Sequence, residues 1–237
     1  MRIPKNHWLI TKPIAHRGLW GENVIENSLT AYEKACKFGF PIEIDVFLTK
    51  DNHIVSFHDD NLFRMTGVNA LIYNKTLTEL KELSLLNTEE KIPTFNQVLK
   101  AVDGKVPLLI EIKNQPNPLV VNKLIERLKS YSGEFAIQSF NPLYINKVKK
   151  LAPSFIRGIL CNPLDLSKNR LHRFIVRKMP LNFLIKPHFI SAHYKSIPLK
   201  NKSAKRLPVI AWTVTDKDLA NTLLKNANNI IFEKFVP

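Results

Sequence analysis

Two rhythms of hydrophobic and polar positions alternate along the chain. Short runs rich in apolar and β-branched residues read as strands: Pro13–His16, Pro41–Thr49, His53–His58, Val106–Lys113, Glu134–Phe140, Phe155–Leu160, Phe189–His193, Leu207–Val214 and Asn229–Phe232. Between them, Asn27–Phe38, Leu119–Tyr131, Pro142–Leu151, Leu171–Met179 and Asp216–Asn226 carry apolar residues at helical spacing, as Leu29, Tyr32, Ala35 and Cys36 do in the first. Strands alternating with helices over the whole length predict an α/β protein with a parallel sheet and helical crossovers. The closed barrel and the open doubly wound sheet both fit that alternation. The strand count and the length of 237 residues favour the (β/α)8 TIM-type barrel, which typically uses roughly 250 residues. One domain over residues 1–237 is expected, since no stretch has linker composition. Asp59–Pro107 departs from the alternation and reads as an excursion over the barrel mouth, with short helices near Thr76–Leu85 and Thr94–Val102.

The polar positions inside two of these strands change the picture. In Pro41-Ile-Glu-Ile-Asp-Val-Phe-Leu-Thr49, alternation puts Ile42, Ile44, Val46 and Leu48 on one face and Glu43, Asp45 and Phe47 on the other. Val106-Pro-Leu-Leu-Ile-Glu-Ile-Lys113 repeats the arrangement, with Leu109, Glu111 and Lys113 opposite Leu108, Ile110 and Ile112. In a barrel the carboxylate face points inward, where an unpaired charge costs several kcal/mol. A bound cation resolves that conflict, and three carboxylates without cysteine point to a hard ion, Mg2+ or Ca2+. Internal salt bridges of Glu43, Asp45 and Glu111 with Lys113 and Arg17 are the competing reading, and spacing leaves both open.

Two histidines stand at strand ends beside these carboxylates. His16 is followed by Arg17 and Gly18, and His58 by Asp59 and Asp60. Barrel active sites form at the C-terminal ends of strands, and imidazole titrates near neutral pH, so His16 and His58 are candidates for general base and acid. Arg17 suits a bidentate grip on phosphate, and Gly18 suits a tight turn and close approach of a ligand to the backbone. His7, His53, His172, His188 and His193 read as surface or structural.

Composition narrows the partners. The formal charge is +15, and Leu166–Thr215 contains no Asp or Glu. Such a field favours anionic partners, whether phosphates, acidic lipid surfaces or nucleic acid; a solvated basic face is the alternative. Cys36 and Cys161 have no metal-ligand spacing and read as reduced thiols. The N-terminus lacks a signal-length apolar core, and no stretch is long and apolar enough to span a bilayer, so the cytoplasm is the expected compartment.

Taken in order, Ala15-His-Arg-Gly18, Glu26-Asn-Ser28, Glu43-Ile-Asp45 with Thr49-Lys-Asp51, and His58-Asp59 with Leu62 and Arg64-Met-Thr-Gly67 closely resemble the glycerophosphodiester phosphodiesterase family. Glu111-Ile-Lys113, Gln138-Ser-Phe140 and Trp212-Thr-Val214 extend the resemblance over nearly the full chain. It implies a (β/α)8 barrel with a short insertion after the second strand, matching Asp59–Pro107. It implies one divalent cation held by Glu43, Asp45 and Glu111, His16 and His58 as the acid–base pair, and Arg17 and Lys113 as phosphate contacts. Trp212 would lie beside the glycerol group, and Asn27 near the metal. Two departures from the family pattern, Ile25 in place of proline and Asn228-Asn-Ile-Ile-Phe-Glu233 in place of a glycine-containing last strand, bear on substrate preference.

The expected reaction is hydrolysis of a small glycerophosphodiester to glycerol 3-phosphate and an alcohol, a step of lipid metabolism. A lysophospholipase D-like enzyme is the nearest rival. It draws on Leu171-His-Arg-Phe-Ile-Val-Arg-Lys-Met179, which mixes apolar and basic residues as an interfacial helix does and would give weak contact with anionic membranes; an ordinary barrel helix is the alternative. A non-catalytic phosphate- or nucleic-acid-binding protein is the rival from another class, but no nucleic-acid motif is present and no such partner is expected. The alcohol and the oligomeric state are not written in the pattern.

Overall fold

The computed structural model describes residues 2–162, 181–200 and 206–237. Contacts group the chain into two compact units, Ala15–Phe135, and Met1–Ile14 with Ala136–Pro237.

In the first unit, Ala15 of the two-residue strand β1 (Ile14–Ala15) pairs in parallel with Ile42 of β2 (Ile42–Leu48). The helix Leu29–Phe38 connects them. Ser28 Oγ caps its start by accepting from the Ala31 N–H at 3.1 Å, and Gly39, at φ 73°, ends it in the left-handed conformation. All seven residues of β2 and all five of β4 (Leu108–Ile112) are buried, as expected for a parallel sheet covered on both faces. β4 pairs with β2 in parallel over five residues, Ile42 with Leu108 through Val46 with Ile112.

The strand expected at His53–His58 forms as β3 (Ile54–Ser56), but it is antiparallel to β2. The turn between them is built by Thr49 and Asp51. Thr49 Oγ1 donates to Asp51 Oδ1 at 2.7 Å and accepts from the His53 N–H at 2.9 Å, while Asn52 takes φ 65°. The Thr-Lys-Asp motif is therefore a hairpin device. Beyond β3, the expected excursion has its own core: Phe47, Val55, Phe57, Leu62, Met65, Ile72, Leu80, Leu85 and Ile92 are all buried together. Two of its helices, Leu77–Glu82 and Phe95–Val102, are each opened by a capping box, Thr76 with Glu79 and Thr94 with Gln97.

The second unit continues the alternation. β5 (Phe135–Ser139), β6 (Arg157–Cys161), β7 (Phe189–His193), β8 (Val209–Val214) and β9 (Asn229–Phe232) pair in parallel in chain order. Helices Pro142–Leu151 and Lys217–Leu223 follow β5 and β8. Asn229 Nδ2 donates to the carbonyls of Leu9 at 3.1 Å and Lys12 at 2.7 Å, tying the first helix, Trp8–Thr11, to β9. The helix expected at Leu171–Met179 lies outside the described residues. Among the described residues, no helix is long and apolar enough to cross a membrane.

Candidate active site

Parallel pairing of β2 with β4 sets Asp45 directly beside Glu111, and Glu43 lies two residues earlier on β2. The oxygens of Glu43, Asp45 and Glu111 lie within 4.8 Å of one another, and all three residues are buried. The two readings left open by the sequence meet here. Lys113 Nζ lies 2.9 Å from Glu111 Oε1 and 3.3 Å from Asp45 Oδ1, and Arg17 Nε lies 3.7 Å from Asp45 Oδ2. His16 Nε2 is 4.0 Å from Glu43 Oε2, and the Arg17 N–H donates to the same oxygen at 3.1 Å.

Among the described residues, the three carboxylates face two fixed cations, Arg17 and Lys113, which leave one negative charge unneutralised. Burial, then the charges of Asp45 and Glu111, pushes Glu43 well above the ordinary carboxylate range, and Arg17 and Lys113 do not fully pull it back. Burial also raises Glu111. Burial works against the charge on Asp45 too, yet Lys113, His58, Arg17 and His16 outweigh it and keep this carboxylate low. A converging set of buried, acceptor-only oxygens with uncompensated charge fits a hard divalent cation.

Asn27 is buried at φ 54°, a conformation asparagine tolerates, and its Nδ2 donates to Asp45 Oδ2 at 3.1 Å. Its Oδ1 accepts from the Tyr32 hydroxyl at 2.8 Å and from Ser56 Oγ at 3.3 Å. Tyr32, read from the sequence only as a core position, thus orients a neighbour of the carboxylates. Gly18, at φ 85°, packs closely against the helix at Ala31.

His58 arrives by the antiparallel route. The Phe57 N–H donates to the Asp45 carbonyl at 3.1 Å, which brings His58 alongside the carboxylates without a parallel strand of its own. Its Nδ1 lies 2.5 Å from Asp59 Oδ1. Asp59 Oδ2 accepts from Arg64 Nε at 2.5 Å, and the two Nη atoms of Arg64 grip Glu26 at 2.6 and 3.1 Å. Glu26 Oε1 also accepts from Arg17 Nη1 at 2.7 Å. Burial, with Lys113 and Arg17, holds His58 below the usual histidine value against the pull of Asp45 and Asp59. Arg64, Asp59 and Glu26 received no role from the sequence, although all three fall within its quoted motifs.

Glu26 and Arg64 also border a cavity of about 640 Å3 whose apolar wall includes Trp20, Ile25, Met65 and Leu86. Trp212 belongs to the second unit. It stands on β8, edge-on to Phe140 at 5.6 Å and to His193 at 5.2 Å between ring centroids.

A fold of alternating strands and helices with a buried acidic cluster beside two histidines and two phosphate-suited cations is of the kind used for phosphodiester hydrolysis. The profile of the Glycerophosphoryl diester phosphodiesterase family matches residues 16–233, and the chain belongs to that family of phosphoric diester hydrolases. A glycerophosphodiester phosphodiesterase of Caldanaerobacter subterraneus is 33% identical over 229 residues, covering 91% of this chain and 90% of its own. A human lysophospholipase D is 34% identical over 143 residues, covering 55% of this chain and 45% of its own. A phosphodiesterase of Oleispira antarctica, solved in complex with the product sn-glycerol-3-phosphate, superposes with a TM-score of 0.78 at 26% identity, covering 94% of this chain and 93% of its own. The fold class is the (β/α)8 barrel, as the sequence pattern predicts.

Proposed function

We propose that the chain hydrolyses a small glycerophosphodiester to glycerol 3-phosphate and an alcohol, as one domain over residues 1–237, with Glu43, Asp45 and Glu111 holding one divalent cation, Mg2+ or Ca2+. The observation that carries this reading is the convergence of the three buried carboxylates within 4.8 Å. When bound, the ion supplies Lewis-acid polarisation of phosphoryl oxygens. Arg17 and Lys113 are cations at the same site, suited to hold the phosphate and to stabilise charge that grows on its oxygens. His16 takes the proton of the attacking hydroxyl, either from water, which gives glycerol 3-phosphate directly, or from the neighbouring glycerol carbon, which gives a cyclic phosphodiester that water then opens to glycerol 3-phosphate. The bond from phosphorus to the alcohol oxygen breaks, and His58 donates the proton that oxygen needs. With the Nδ1–H of His58 held by Asp59, the proton leaves from Nε2 of the doubly protonated ring, which returns to the neutral Nδ1–H form. Asn27 orients Asp45. A cytoplasmic location belongs to the same reading and is supported by the free thiols of Cys36 and Cys161.

Glycerophosphodiesters and lysophospholipids, each assayed with Mg2+ and with Ca2+ for release of glycerol 3-phosphate, test the reaction. Glu43→Gln should abolish it while the fold persists; turnover by that variant, or by wild type in chelator, sinks the scheme. A lysophospholipid substrate is the second reading, favoured by the human lysophospholipase D relative and by the apolar wall at Trp20, Ile25, Met65 and Leu86. Release of a lysophosphatidic acid, with no cleavage of water-soluble diesters, would establish it instead.

A further inference from the structure

We propose that Arg64 is a positioning residue, which holds the His58 imidazole in its proton-donating orientation and locks it in register with Arg17. The inference rests on the reading of His58 as the acid. Asp59 neighbours His58 in sequence, and its side chain is 24% exposed, so by itself it offers the ring a movable partner. Arg64 removes that freedom. Its Nε donates to Asp59 Oδ2 at 2.5 Å, while its two Nη atoms take both oxygens of Glu26, at 2.6 Å (Nη2 to Oε1) and 3.1 Å (Nη1 to Oε2). A guanidinium is planar, so these three donors fix the two carboxylates at one mutual angle. Glu26 Oε1 then receives Arg17 Nη1 at 2.7 Å. One chain of charge-assisted hydrogen bonds thus runs from the acid's Nδ1, through Asp59, Arg64 and Glu26, to the arginine beside Asp45.

The base of this clamp is itself anchored. Arg64 sits on the short helix Phe63–Thr66, flanked by Leu62 and Met65, which are 0% and 3% exposed in the core of the excursion. Lysine could reach one carboxylate but cannot span two with fixed geometry. The rival account is that Arg64 only tethers the excursion to the loop after β1. The leaving group separates the two. An alkoxide needs a proton as it departs, and an aryl oxide such as p-nitrophenolate does not, so a defect in the acid shows on the first and is muted on the second.

The test uses the full chain as wild type, Arg64→Met, Arg64→Lys and His58→Ala, assayed on glycerophospho-alkyl and glycerophospho-p-nitrophenyl diesters. Arg64→Met should lower kcat on the alkyl diester by roughly tenfold or more, with KM little changed, and on the aryl diester by far less; His58→Ala should show the same pattern more strongly, about 100-fold. Arg64→Lys should recover only part of the loss. In the full chain at a pH where the ring is neutral, 15N-detected imidazole spectra should show the Nδ1-protonated tautomer of His58 in wild type, which leaves Nε2 as the atom that takes up and hands on the catalytic proton, and a mixture of tautomers in Arg64→Met. Equal losses on both diesters, or an unchanged His58 signal in Arg64→Met, would overturn the assignment. Inactivity of wild type on both diesters would defeat the proposed function, while the imidazole spectra would still decide whether Arg64 positions the ring.

Discussion

Gly18 and Ala31 touch so closely that a β-carbon on the glycine would stand 2.8 Å from the Ala31 β-carbon and 2.9 Å from its carbonyl carbon. The Leu19 N–H donates to the Ala31 carbonyl at 3.0 Å, so the loop after β1 is pressed against the helix Leu29–Phe38. Gly18→Ala meets both a left-handed φ of 85° and this contact, and should cost about 3 kcal/mol or more in urea unfolding. It should also displace Arg17 and reduce turnover. Gly39, at φ 73° with nothing near its missing β-carbon, isolates the backbone contribution, and Gly39→Ala should cost only about 1 kcal/mol.

Crowding of Glu43, Asp45 and Glu111 makes a prediction of opposite sign for stability and for activity. A carboxyl whose folded value is raised destabilises the fold above its unfolded value, and the cost shrinks as pH falls. In chelator at neutral pH, Glu43→Gln should therefore unfold at a higher temperature than wild type, by the equivalent of about 1–3 kcal/mol. Adding Mg2+ or Ca2+ should raise the melting temperature of wild type, the unfolding free energy growing by about 3 kcal/mol at a hundredfold excess over Kd, and should do little for the variant. Equal responses of the two proteins to the ion would remove Glu43 from the metal site.

Tyr32 makes a third case. Its fully buried hydroxyl lies 2.8 Å from Asn27 Oδ1 and 2.6 Å from Ser56 Oγ. Tyr32→Phe should cost about 1–2 kcal/mol, because Ser56 and Asn27 lose a buried partner. If Asn27 orients Asp45, ion affinity measured by calorimetry should fall with it; unchanged affinity would confine Tyr32 to the core.

The parallel strands were legible because the period of two sorts Glu43 and Asp45 from Ile44 and Val46 within seven buried residues. Register was not legible: nothing in the sequence says that Asp45 rather than Glu43 pairs with Glu111, and this depends on tertiary packing. The orientation of β3 was hidden as well, since Ile54–Ser56 has the same apolar signature in either direction, and only the Thr49–His53 turn decides it. The clamp through Arg64 joins side chains from separate segments, and charges at 26, 59 and 64 look in the sequence like any solvated surface until coordinates bring them together. The chemical cause of the Thr49–His53 turn lies in the short polar side chains of Thr49 and Asp51.

His188 supplies a pH dependence outside the site. The residue is 6% exposed, and its Nδ1 accepts from the Arg157 backbone N–H at 3.2 Å while the His188 backbone N–H donates to the Arg157 carbonyl at 2.7 Å. A proton on Nδ1 would remove that acceptor and bury a charge next to the Arg157 guanidinium. Burial, then Arg157, accordingly depresses the imidazole to about 4. The folded value lies below the unfolded value near 6.5, so the folded state prefers the neutral ring. Its stabilising contribution is whole above pH 6.5 and is lost as pH falls from there toward 4. Between pH 7 and pH 5 this one group should remove about 2 kcal/mol from the unfolding free energy. Urea titrations at the two pH values should show the drop in wild type and a smaller one in His188→Gln, whose amide oxygen can still accept from Arg157. A drop of the same size in both would assign the acid sensitivity to other groups.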